Sequence, residues 1–259
     1  MAFFSRLYIR RKKKKRRISM SLITGILEQL INGLRTGSIY ALIAIGYTMV
    51  YGIAKMINFA HGDIIMVGAY SLYVFTAVLN LPAAASVILT VVVCAVLGIV
   101  VERIAYKPLR NAPSLAVLIT AIGVSYFLQN TALLIFKATP IPFGSIINVS
   151  GIRLGNINIS GVTLVTFIVT VVMMVGLTLF INKTKAGSAM RAVSEDRGAA
   201  SLMGINVNKT ISMTFAIGSA LAAVAGILYI CQYQSLQPTL GALPGIKAFV
   251  AAVLGGIGS

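Results

Sequence analysis

Residues 162–181 read VTLVTFIVTVVMMVGLTLFI, residues 182–210 read NKTKAGSAMRAVSEDRGAASLMGINVNKT, and residues 211–230 read ISMTFAIGSALAAVAGILYI. Each flanking apolar run matches the ~20 residues a helix needs to cross ~30 Å of hydrocarbon. The interruption between them is polar and charged, and holds two of the chain's five acids, Glu195 and Asp196. In lipid only helices and closed barrels satisfy every backbone group. A barrel would show alternating segments of ~10 residues, not unbroken runs of this length. The pattern is that of a helix that spans, a loop outside the bilayer, and a second helix that returns.

The same alternation extends in both directions. The chain is 58% hydrophobic and only 10% charged, with a mean hydropathy of +0.93. The expected fold class is all-α, a polytopic transmembrane helical bundle. The expected spans are Tyr40–Ile53, Ile64–Leu79, Ala83–Ile104, Leu115–Phe136, Val162–Ile181 and Ile211–Ile230. A last run, Ile246–Ile257, is too short to span, and the sequence stops inside it at GGIGS. A C-terminally truncated chain is the expectation. Residues 18–259 form one transmembrane domain, with the charged loop at 182–210. Cys94 and Cys231 lie inside apolar runs without paired spacing or a histidine partner, so they read as small buried hydrophobes and not as a metal or redox site.

The net charge of +17 is concentrated at one end: nine basic residues precede Ile18. Residues 1–17 are expected to be a solvated, disordered tail, or to precede the true start at Met20. Positive-inside bias and attraction to anionic headgroups account for such a run, so no nucleic-acid partner is invoked and membrane lipid is. No small-residue cleavage site follows, which argues against a signal peptide. Lys107 and Arg110 in YKPLRNAP, and the five basic residues of the 182–210 loop, place both loops on the cytoplasmic side. The segment Ala138–Gly161 is then external. Its alternating Ile147, Val149, Ile152, Leu154, Ile157 and Ile159, with Gly151 and Gly155 as turn residues, suggest a small hairpin. Three spans before Tyr106 would put the N-terminus outside, whereas the tail favours inside. The segment Ile18–Leu34 would reconcile them as an extra span or half-span, or by lying in the interface. Small residues at four-residue spacing, Ser212-Ala216-Ala220 and Ala222-Gly226, suit close helix packing in lipid.

Within the charged loop, Ser188–Gly204 sets Met190, Val193, Ala200 and Met203 at helix-like spacing, with charges between them and Gly187 and Gly204 as breakers. It reads as one short amphipathic helix outside the bilayer. Apolar knobs entering a partner's groove, with Arg191, Glu195 and Asp196 setting register, would dock a soluble protein. A second segment, Asn58-Phe59-Ala60-His61-Gly62-Asp63, carries the only histidine and an acid well inside the early spans. Ionisable groups at that depth mark pathways, and Gly52, Gly62 and Gly68 permit a broken helix. The alternative is that Asn58, His61 and Asp63 hydrogen-bond one another and pin a re-entrant turn. Glu102-Arg103, just before Pro108, needs only snorkelling and a local ion pair.

The stretches ALIAIGYTMVYGIAKMINFAHGDIIMVGAY (41–70), VERIAYKPLR, ITAIGVSYFLQN, RAVSEDRGAASLMGIN and GIKAFVAAVLGGIGS together resemble one family, the bacterial branched-chain amino acid ABC permeases of the high-affinity Liv type. The likeness runs from about Gln29 to Ser259, with the external loop poorly matched. In the charged loop, Ala199-Ala200-Ser201-Leu202-Met203-Gly204 is similar to the second half of the Glu-Ala-Ala-x-x-x-Gly coupling signature of ABC importers. Gly198 stands where the Glu would be, and the later Ile-x-Leu-Pro element is missing. The resemblance implies a bacterial inner-membrane, multi-pass permease subunit, which in full length has about 7–8 spans of the kind described above. It implies transport and not enzymatic chemistry, with no cofactor or metal. The implied partners are two ATP-binding subunits, a second permease subunit, a periplasmic or lipid-anchored substrate-binding protein, and a small-molecule substrate: leucine, isoleucine or valine, or a related small polar solute such as urea or an amide, which the pore sequence does not separate. The implied coupling residues are Arg191, Glu195, Asp196, Ala199, Ala200 and Gly204. Asn58, His61, Gly62 and Asp63 are candidates for the translocation path. No GxxxxGK[ST] motif occurs, so ATP hydrolysis would belong to a separate chain. The rival reading is a self-sufficient secondary transporter or channel, with His61 and Asp63 coupling protons.

Overall fold

The computed structural model describes residues 2–110, 112–154 and 157–257, with side chains from residue 25 onward except at 153, 154, 157 and 158. Gly155, expected as a turn residue, lies outside the described residues, as do Gly258 and Ser259 and the side chains of the basic tail. The helices are α1 (Ala2–Ala54), α2 (His61–Tyr73), α3 (Ala83–Val101), α4 (Ser114–Phe136), α5 (Gly161–Lys183), α6 (Lys185–Glu195), α7 (Arg197–Leu202), α8 (Val207–Tyr233) and α9 (Ala242–Leu254). A π-turn, Val74–Val78, continues α2, and another, Glu102–Tyr106, continues α3 before a 3-10 turn at Lys107–Leu109. The strands are short: β1 (Ile141–Pro142) pairs with β4 (Ser235–Leu236), and β2 (Ile152–Leu154) with β3 (Ile157–Ile159). The hairpin expected within 138–161 forms, antiparallel, with Ile152 opposite Ile159 and Leu154 opposite Ile157.

Among the described residues six helical segments are long and apolar enough to cross a membrane: Gly25–Ala54, His61–Val78, Ala83–Leu109, Ser114–Phe136, Gly161–Lys183 and Val207–Tyr233. The six expected spans are all present. The first begins well before Tyr40, at Gly25, because residues 18–34 run into it as part of continuous α1. Short polar side chains start several helices where the sequence leaves lipid. Ser160 caps α5, Thr184 caps α6, Asp196 caps α7 and Asn206 caps α8, each accepting from first-turn backbone N–H groups that have no helical carbonyl to bond.

Of the six apolar spans the one most enclosed by the rest of the bundle is that of α8, with α1, α2 and α3 packed around it. Gly218 faces Val50 and Gly46 of α1, Gly226 faces the Ile65 carbonyl of α2, and Ser219 sits against Gly98 of α3. Small residues let these backbones approach in a solvent that provides no hydrophobic drive to associate. The close-packed stripe is therefore Gly218-Ala222-Gly226; of the expected series, Ser212 instead hydrogen-bonds Glu102. The outer helices α4 and α5 leave large apolar side chains exposed, among them Leu134, Ile168 and Val172.

The two ends of α1 lie at opposite faces. Its last carbonyl, Ala54, accepts from Arg197 of α7. Thr170 of α5 reaches the Ser38 carbonyl of α1, and β3, which leads directly into α5, packs on α1 as well. The Gly25 end of the span thus lies on the hairpin side. An N-terminus on the same side as the charged loop, favoured by the basic tail, does not fit a single uninterrupted crossing.

Candidate functional site

Beyond Ala54 the chain does not leave the bundle. Lys55 takes a left-handed φ of 52°, residues 55–60 climb back, and α2 starts beside the middle of α1. His61 there lies against Tyr47, with ring centroids 4.6 Å apart. The other broken element runs the opposite way. After α8 reaches the hairpin face, residues 237–241 turn inward and α9 starts against the first turn of α2. A Cβ on Gly62 would lie 2.7 Å from the Gly241 carbonyl oxygen and 3.3 Å from the Gly245 Cα. Phe249 then packs on Tyr47 and Phe59, so α9 descends toward the charged-loop face. Two half-helices of 13 residues each therefore meet start to start inside the bundle, in the manner of discontinuous helices that line a solute path.

The structure separates the residues of the Asn58–Asp63 segment. Asn58 is buried and its Oδ1 accepts from the Tyr106 hydroxyl at 2.7 Å. His61 is buried between α1 and α8, and its Nε2 has no hydrogen-bond partner. Gly62 and Asp63 instead line a cavity of about 400 Å³, with Tyr47 and Phe59, Leu118, Ile122, Ser125, Tyr126 and Gln129 of α4, and Ala242, Gly245 and Ile246 of α9. Gln129 Nε2 donates to Asp63 Oδ1 at 2.8 Å and to Ser125 Oγ at 3.2 Å. The backbone N–H of His61 donates to the Asn58 carbonyl at 3.1 Å and so closes the turn ahead of α2, but among the described residues no side-chain hydrogen bond joins Asn58, His61 and Asp63 to one another. Sequence reasoning missed Ser125 and Gln129; their spacing, i and i+4 on a mostly exposed helix, was the available signal.

A second cavity, of about 640 Å³, lies toward the charged-loop face and shares Leu118 with the first. Tyr51, Lys55, Arg110 and Arg197 line it. Beside it, Glu102 is fully buried and pairs with Arg110, not with Arg103 as expected, and Ser212 Oγ donates to its other oxygen at 2.6 Å. The pairing follows from the π-turn at Glu102–Tyr106, which carries one extra residue per turn and leaves Arg103 exposed. Arg110 also donates to Asn208 at the start of α8. Burial, and then the nearby Arg110, lower the pKa of Arg197 from the ordinary guanidinium value.

The charged loop is two helices, not one. Asp196 breaks it: its backbone is extended, and its carboxylate accepts from Gly198 N at 2.7 Å and Ala199 N at 3.0 Å. Met190, Val193 and Ala200 are buried against the bundle. Met203, expected on the same face, is 82% exposed, and Leu202 is 91% exposed. Gly204 ends α7 with φ +81°, whereas Gly187 lies inside the first turn of α6 and packs against Ile181. Arg191 is tied to the Ile181 carbonyl and Asn182, so it braces the α5–α6 corner. Glu195, Asp196 and Ala199 are exposed.

A family described as the permease component of branched-chain amino acid transport systems matches residues 29–259. The chain is 47% identical over 247 residues to the high-affinity branched-chain amino acid transport system permease protein BraD of Pseudomonas aeruginosa, covering 90% of this chain and 80% of that protein. It is 45% identical over 245 residues to the permease protein LivH of Salmonella typhimurium, with the same coverage. Similarity falls to 26% over 231 residues with the ribose import permease RbsC of Haemophilus influenzae, covering 88% of this chain and 69% of that one. No solved structure matches. With that extent of match along a bundle of six apolar helices, the chain belongs to the family of permease components of branched-chain amino acid transport systems.

Proposed function

We propose that the chain is a permease subunit of an ATP-driven ABC importer that carries branched-chain amino acids across the bacterial inner membrane. An external binding protein delivers the solute to the hairpin face. A second permease subunit completes the path, and two ATP-binding subunits act from the charged-loop face. The observation that carries this reading is the outward edge of α7. Leu202 and Met203 are exposed at 91% and 82%, while the inner side of the same loop is packed into the bundle through Met190, Val193 and Ala200. An exposed apolar pair on a capped, anchored helix outside the bilayer suits insertion into a partner's groove.

The mechanical sequence follows from the contacts. Closure of the ATPase pair moves α7. Arg197 passes the displacement to the Ala54 end of α1. The same helix carries Tyr47 and Tyr51, which wall the two cavities, so tilting α1 changes which cavity is open. The names of BraD and LivH support branched-chain amino acids as cargo. The proton-coupled alternative finds less support, because His61 and Asp63 occupy different surroundings on α2. The test is the double variant Leu202→Asp/Met203→Asp. It should insert and pair with the second permease, yet lose co-purification with the ATPases and ATP-dependent leucine uptake in proteoliposomes. Uptake at the unaltered rate would overturn the coupling role.

A further inference from the structure

Two carboxylates within the spans are buried to the same degree, and the bundle treats them differently. Glu102 is 0% exposed and has a resident cation, Arg110. Asp63 is 1% exposed and, among the described residues, forms no ion pair. Its side-chain partners are both neutral: Gln129, which holds one oxygen, and the Ser125 hydroxyl. The first turn of α2 places partial positive charge near it, but a buried carboxylate away from water needs a full counter-charge or loses its own. Asp63 also lines the cavity of about 400 Å³, whereas Glu102 lines neither of the two cavities described. A cation that enters this cavity would reach Asp63 and supply that counter-charge.

The cavity chemistry narrows what that cation is. Gln129 uses its amide hydrogens on Asp63 and Ser125, which leaves its carbonyl oxygen as an acceptor close to the carboxylate. An ammonium group has three donors and would be met by the carboxylate and the amide oxygen. Farther along the lining, Phe59, Leu118, Ile122 and Ile246 are apolar and suit an aliphatic side chain. We propose that Asp63 and Gln129, held in place by Ser125, form a site midway through the bundle that binds the α-ammonium of an amino acid in transit, with its aliphatic side chain on the α4–α9 wall. The site rests on the transport function proposed above and adds a residue-level basis for selecting amino acids over sugars.

The experiment uses the assembled permease–ATPase complex in nanodiscs without binding protein, with tritiated leucine as the probe. Wild type should bind leucine saturably. Isoamylamine, which keeps the ammonium, should compete, and 2-hydroxyisocaproate, which replaces it by hydroxyl, should not. Asp63→Asn keeps an acceptor for Gln129 and so keeps the α2–α4 tether, but it should weaken leucine binding by about tenfold or more, the scale of a lost charge-assisted contact. A merely structural Asp63 would leave Asp63→Asn within about twofold of wild type, an energy below RT, and that result overturns the site. So does the absence of saturable binding by wild type, or competition by the hydroxy acid equal to that of leucine. The competitor series needs no variant, so it stands even if Asp63→Asn fails to fold. ATP-driven uptake by the complete wild-type system, measured in parallel, separates the two claims: its loss refutes the transport reading, and its presence with unaltered Asp63→Asn binding refutes only the site.

Discussion

Gly62 and Gly241 leave no room for a side chain on either. A Cβ at Gly62 would lie 2.7 Å from the Gly241 carbonyl oxygen and 3.3 Å from the Gly245 Cα, and backbone cannot swing away as a long side chain can. Gly62→Ala should force the half-helix starts apart, costing about 1–3 kcal/mol. A lowered melting temperature in detergent, with transport lost at permissive temperature, checks this; an unchanged melting temperature would mean that α9 shifts freely. Asn58 makes a different demand. Its Oδ1 is satisfied by Tyr106, 48 positions away. Tyr106→Phe leaves a buried amide oxygen unpaired, a loss of about 1–3 kcal/mol, and thermal unfolding of that variant measures it. Asn58 and Gly62 stood out in the sequence because they stand beside the chain's one histidine and an acid, His61 and Asp63, inside the early apolar runs. Tyr106, Gln129 and Gly241 did not, because each acquires its role only from a partner distant in the chain.

The elements beside the site show where local pattern ends. The spacing of Met190, Val193 and Ala200 was legible as a buried face, and all three are buried. The break between α6 and α7 was not read, since helical periodicity continues across Asp196 while the capping carboxylate turns the chain there. The turn redirects Leu202 and Met203 outward and so decides which side chains a partner can touch. Asp196→Ala removes the acceptor for Gly198 N and Ala199 N, a cost of about 1 kcal/mol at a helix start. Hydrogen exchange should quicken across Arg197–Met203 and stay unchanged in α8, while ATP hydrolysis runs with less leucine moved per turnover. Equal exchange in wild type and Asp196→Ala would show that Arg197, through its bond to Ala54, holds α7 without the cap. Glu102 illustrates the same limit: the sequence paired it with its neighbour Arg103, but the π-turn turns it inward to Arg110 and Ser212.

For the whole molecule, six apolar runs were enough to find six spans, because lipid demands length and hydrophobicity and little else. Direction was harder, because it is set by loop charge and basic residues stand both ahead of the first span and, at Lys55, just beyond it. The structure resolves the geometry: α1 runs without a break from the hairpin side to Arg197, then a half-helix returns. The α8–α9 pair repeats this in the opposite sense, so each face contributes one re-entrant segment to the central junction. This inverted pairing only works if the Gly25 end of α1 and the α7 edge are on opposite sides of the membrane. Ile26 and Ser201 are both exposed, and Ile26→Cys and Ser201→Cys therefore make a direct test. A membrane-impermeant maleimide applied to intact right-side-out spheroplasts should label the first and spare the second, and inside-out vesicles should reverse the pattern, with the buried Cys94 and Cys231 silent in both. Labelling of the two positions from one side would require α1 to fold back on itself, and with it the opposed half-helices and the central cavity would be lost.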